Sequence, residues 1–319
     1  MASASRFAWS GCLMAVALAA TAPGAQAQQA FNPRDPVHNA YVEGNIYFLA
    51  YHEAGHLIAD MIGQEDQQAD RYEAEQDADD IAVYLLMPDP EETDQDDDII
   101  AAVRGWIRSA DSQDDGGIDA NPDYPDDIDR AARIACLVLG SNPSVYGEFE
   151  YAFEGAITRD VCVGEFNNLN ASFEERFGDA LVTEEKPAHS AIKVFFEDPS
   201  AAAGQREAAA YLHRSGILDD VAKDISEFVR LPDQVNLIAR SCGPGPAQFL
   251  YNPTTHVISA CYEAVLWFMD NLPEELGGGP VERATGDQAR SANSSDVGSG
   301  GARVQRRPRP LPAATSIRR

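Results

Sequence analysis

The stretch "YHEAGHLIADMI" sets His52 and His56 four residues apart, with Glu53 directly after the first histidine. On a helix, residues four apart share a face, so both imidazoles project the same way. That is the spacing at which two ring nitrogens reach one tetrahedral zinc, each at about 2.0–2.1 Å. Glu53 then faces a water held by the metal without binding the metal itself. Its carboxylate can take the proton of that water as general base, while zinc lowers the pKa of the water.

The alternative is a partly exposed helix carrying two surface histidines. The neighbours argue against it. Ile46, Leu49, Ala50, Leu57, Ile58 and Met61 recur at helical spacing, so the motif lies in an apolar-periodic helix read over residues 41–63, with Gly63 as its stop. Two histidines and a glutamate without partners are costly to bury there. Gly55 is a poor helix former between the histidines, and so small a residue admits another backbone at close range.

A catalytic zinc wants a third protein ligand and leaves its fourth position to water. The next helical pattern, "EAEQDADDIAVYLLM", offers Glu75, with Asp79 one turn further on the same face to orient a ligand imidazole. Glu73, Asp77 and Asp80 are rivals on spacing alone.

Further along, helical patterns cover a short piece around "IIAAVRGWIRSA", residues 128–139, and stretches near 145–181 and 201–230. The Asp-rich "DSQDDGGIDANPDYPDDID" reads as a solvated loop; it lacks the glutamate that a helix-loop-helix calcium site needs at its twelfth position. "QVNLIARSCG" and "HVISACYEAVLWFM" read as two short strands around a turn-rich loop, the second running into a helix. The fold class is therefore α+β and predominantly helical, with a small sheet element.

Residues 1–27 read as a signal peptide: Arg6, an apolar run too short for a stable anchor, and an A-x-A site at Ala25-Gln26-Ala27. An exported chain, periplasmic or extracellular, is the expectation. After cleavage Cys136, Cys162, Cys242 and Cys261 remain. In an oxidising compartment an even count suggests two bridges, and the sequence-local pairs Cys136–Cys162 and Cys242–Cys261 are favoured. No CxxC spacing occurs, which argues against a cysteine zinc site.

Residues 276–319 are rich in Gly, Ser, Pro and Arg and too poor in bulky apolar residues to offset ordering entropy, so disorder is expected. The folded domain is therefore read over residues 28–275. The net charge is −28, and the tail carries eight Arg against three acids, so the remainder is strongly acidic. Such a surface repels nucleic acid and anionic lipid.

The motif pair "YHEAGHLIADMI" and "EQDADDIAVYLL", H-E-x-x-H followed by E-x-x-A-D, resembles the glutamate-zincin peptidases. More narrowly it is similar to the metallopeptidases grouped as domain-of-unknown-function family 4344. "RIACLVLGSNP" and "IARSCGPGPAQFLYNPTTHVISACYEAV" resemble further elements of that family, the second standing after the metal helix here. The resemblance implies a zincin-like fold, one zinc ion, His52, His56 and Glu75 as ligands, Glu53 as base and Asp79 behind a ligand. The function it implies is an exported zinc peptidase acting on a peptide or protein. The alternative is an inactive metal-binding protein, or an acidic envelope or periplasmic interaction protein. Tyr251, His256 and Tyr262 are candidates to stabilise an oxyanion; His189 and His213 have weaker claims, and Glu263 reads as structural.

Overall fold

Asp35 starts the central helix. Its carboxylate accepts the Val37 amide at 3.0 Å, and Pro36 takes the first helical position, where a missing N–H costs nothing. Helix α1 then runs Pro36–Met61, five residues earlier than the apolar periodicity suggests, because these capping signals precede the apolar run. Every residue from 44 to 55 is buried. The helix is thus enclosed on all sides rather than amphipathic, and packing stabilises it more than propensity does.

In this computed structural model the described residues are 30–62, 71–87, 97–111, 126–188, 192–243 and 248–276. The signal-peptide reading, Gly63, His189, most of the Asp-rich loop and the tail beyond Leu276 lie outside them. Among the described residues, no helix is long and apolar enough to cross a membrane.

Around α1 pack α2 (Arg71–Leu86) and α3 (Asp97–Asp111). Helix α4 (Asp127–Ser141) lies against α2 and α3 on one side and α6 (Arg159–Phe177) on the other, with the short α5 (Glu148–Ala152) between α4 and α6 in the chain. Cys136 and Cys162 bridge α4 to α6. Helices α7 (Gln205–Ser215) and α8 (Ile217–Phe228) divide the 201–230 pattern at Gly216, whose φ of 67° is a left-handed turn that glycine takes without strain.

The sheet has four strands rather than the two expected. Strands β1 (Lys193–Phe196), β2 (Asn236–Arg240), β3 (Leu250–Asn252) and β4 (Val257–Cys261) lie in the order β1-β2-β4-β3. β1, β2 and β4 are parallel, and β3 is antiparallel to β4, with Tyr251 opposite Ile258. The two strands missing from the sequence reading are the edges. They are short and largely exposed, so neither carries an alternation of apolar and polar residues. Cys242 and Cys261, at the ends of β2 and β4, are bridged. β4 continues into α9 (Tyr262–Asp270), and α1 packs against β3, β4, α8 and α9. One apolar core joins α1 to the sheet, with Ile46, Leu57, Ile58, Leu237 and Ile258 fully buried.

Candidate metal centre

Gly55 brings the two site helices together. A Cβ placed on it would lie 2.8 Å from the Ala78 carbonyl oxygen and 2.9 Å from the Ala78 Cα. No side chain fits there, so α1 and α2 touch backbone to backbone at the level of the histidines.

At that level Glu75 reaches both rings. Its Oε2 is 3.1 Å from His52 Nε2, and its Oε1 is 3.6 Å from His56 Nε2. One ligand atom from each of His52, His56 and Glu75 lies within 4.8 Å of the others. Two imidazole nitrogens and one carboxylate oxygen, converging from two helices, are a donor set suited to zinc. The rivals turn elsewhere. Asp77 meets Arg176 at 2.7 Å, Asp80 takes both nitrogens of the Arg133 fork, and Glu73 is exposed.

Asp79 sits behind His52. Its Oδ1 is 2.8 Å from His52 Nδ1. An ionised carboxylate only accepts, so Nδ1 carries the proton, and His52 turns Nε2 toward Glu75. Arg130 of α4 closes this chain with two bonds to the same carboxylate: Nη2 to Oδ1 at 2.6 Å and Nε to Oδ2 at 2.8 Å. Its guanidinium lies over the Trp106 ring, 3.8 Å from the centroid. Trp106 in turn meets Phe48 edge-on, and Phe48 stacks on His52.

The electrostatics follow from these contacts. Burial works against the His52 imidazolium, yet hydrogen bonds to Asp79 and Glu75 outweigh it and the pKa is pushed up to about 10. Burial would raise Glu75, but the two histidines hold its carboxyl well below the usual range. Burial likewise opposes the Asp79 charge, and Arg130 with His52 keeps that carboxyl low.

A cleft of about 420 Å³ opens over the three donors. Glu53 lines it beside His52 and His56; Leu49 and Trp106 add apolar surface. The segment 248–251, which includes edge strand β3, forms the facing wall. Tyr251 is in that wall, and its hydroxyl donates to Asp60 Oδ2 at 2.7 Å, one helical turn beyond His56.

The other candidates lie differently. Tyr262 is buried, and its hydroxyl donates to the carbonyls of Glu197 and Ala239, which is a packing role. His256 occupies the turn before β4 at a φ of 50°. His213 meets Phe196 edge-on, on the opposite edge of the sheet. Glu263 accepts the amides of Cys242 and Gly243, so it caps the loop after β2.

Arg130 and Trp106 escaped the sequence reading. The signal was a pair of arginines, Arg130 and Arg133, in the largely apolar run "IDRAARIACLVL": an arginine buried there calls for a carboxylate partner. Nothing in the sequence says which one.

Comparison with protein-family models, curated proteins and solved structures finds no match for this chain. The functional reading therefore stands on the residues and their geometry.

Proposed function

We propose that the chain is an exported zinc-dependent peptidase of zincin-like architecture that hydrolyses peptide bonds. The observation that carries this reading is the convergence of His52, His56 and Glu75 within 4.8 Å at the floor of a cleft that Glu53 also lines. When bound, zinc supplies Lewis-acid polarisation of the scissile carbonyl and acidifies water.

The remaining work falls to the chain's own residues. His52 and His56 present Nε2 toward the ion, and Asp79 keeps the His52 proton on Nδ1. Glu53 takes a proton from water on its carboxylate and returns it to the departing amine nitrogen. Strand β3 is an edge of the sheet and a wall of the cleft, so its open side suits an extended peptide, which would add as a further strand. Leu250, 42% exposed in that wall, offers apolar surface to a substrate side chain. Two disulfides and the absence of a membrane-spanning helix among the described residues are compatible with export.

Metal analysis of the purified mature chain, together with turnover of a mixed peptide library, tests this. The expectation is one zinc per chain and cleavage that Glu53→Gln abolishes while zinc is retained. A chain without zinc would overturn the metal centre. Cleavage undiminished in Glu53→Gln would remove Glu53 as the base.

A further inference from the structure

Two arginine–aspartate pairs tie α4 to α2, one turn apart on α4 and at adjacent positions on α2. Arg133 pairs with Asp80 at 2.7 and 2.5 Å, and both side chains are partly exposed. Arg130 pairs with Asp79 inside the protein, where both side chains are almost wholly buried. Only the inner pair touches the metal centre. Asp79 Oδ1 serves His52 and Arg130 together, and Arg130 Nη2 lies 3.4 Å from His52 Nδ1. Arg130 also lines the cleft.

We propose that Arg130 is a positioning residue of the metal centre, which locks the Asp79 carboxylate and through it the His52 ring. This rests on the zinc reading above. A carboxylate held by one hydrogen bond can turn about its own Cβ–Cγ bond and release the imidazole. The two-pronged guanidinium bond fixes the carboxylate plane. Trp106 fixes the guanidinium plane in turn, by stacking beneath it at 3.8 Å. The imidazole Nε2 is thereby aimed before any ion arrives, and the ion meets a ligand that need not be ordered. Lysine could replace the charge but not the planar fork. The outer pair, Arg133 with Asp80, joins the same two helices without contact to a ligand, and so separates positioning from plain helix tethering.

The test measures zinc dissociation constants of the full mature chain by competition with a chelating dye. Arg130→Met should weaken zinc binding by roughly 10- to 100-fold, the usual effect of losing an outer partner of a metal ligand. Arg130→Lys should also weaken it, by at least about threefold, because an ammonium cannot hold both carboxylate oxygens in plane. Arg133→Met should change it by less than about twofold even where it lowers the melting temperature, since Arg133 is bound to Asp80 and not to the carboxylate that holds His52. In an Asp79→Ala background, Arg130→Met should add less than about twofold, because no side-chain oxygen then links it to His52. The same double variant removes both members of the buried pair, so it guards against the cost of leaving one of them alone, and Arg130→Lys carries the comparison if Arg130→Met does not fold. Equal losses in Arg130→Met and Arg133→Met, an unchanged affinity in the Arg130 variants, or a full loss in the Asp79→Ala background would each overturn the proposal. A wild-type chain that binds no zinc fails the metal reading itself; a zinc-binding wild type with unaffected Arg130 variants fails this proposal alone.

Discussion

Gly55 and Ala78 meet backbone to backbone, and this contact sets the distance between the helix that carries the histidines and the helix that carries Glu75. Gly55→Ala should therefore act on the site through spacing. Alanine is the better helix former by about 1 kcal/mol. The added methyl nevertheless meets main-chain atoms, which cannot swing aside, and such overpacking costs about 1–3 kcal/mol. The expected result is a lower melting temperature together with weaker zinc binding, read by thermal denaturation and dye competition. A more stable variant with unchanged zinc affinity would contradict the spacing role.

Glu75 and Glu73 differ by two positions and should differ completely in consequence. Glu75→Gln removes a charged ligand atom that faces both imidazoles, and zinc should be lost at micromolar concentration. Glu73→Gln changes an exposed side chain and should bind zinc like the parent. Stoichiometry by metal analysis after dialysis distinguishes them.

The metal-free chain should lose stability toward alkaline pH. His52 has its folded pKa raised from 6.5 to about 10, so its contribution is fully present below about 6.5 and is lost as pH rises through about 10. Asp79 and Glu75 supply the attraction, and Arg130 opposes it. Melting temperature with chelator present should fall across that window. The slope should flatten in His52→Gln, which has no imidazole to titrate.

The bridge Cys242–Cys261 encloses the segment 248–253, which walls the cleft, and spans 19 residues. Replacing both cysteines by serine should cost about 3 kcal/mol from the released loop entropy. It should raise KM for a peptide while zinc affinity stays near the parent value, because the ligands sit on α1 and α2. A loss of zinc in that variant would tie the wall to the metal instead.

The candidate site is legible at short range in the chain and obscure at long range. His52, Glu53 and His56 stand out by type and helical spacing, whereas spacing alone leaves Glu75 level with Glu73, Asp77 and Asp80; α1 and α2 follow from the apolar pattern around them. The local cysteine pairs were legible for a related reason, since short loops cost least to close. Strands β1 and β3 were not, because an exposed edge strand has no buried face to impose alternation. The start of α1 was missed because the cap at Asp35 lies outside the apolar run. Arg130 was beyond reach for another reason: it meets Asp79 across 51 residues, and only folding brings them together.

The same contrast in range bears on the order of assembly. His52 and Asp79 are separated by 27 residues, whereas Tyr251 reaches Asp60 across 191. Contacts near in sequence form with little entropy to overcome, and distant ones form late. A nascent chain can thus bring the helices of His52, His56 and Glu75 together well before the C-terminal sheet docks and closes the far side of the groove. On the proposed reading, metal binding and peptide cleavage would then be separate events in the life of the molecule, the first attainable while the second is still being built.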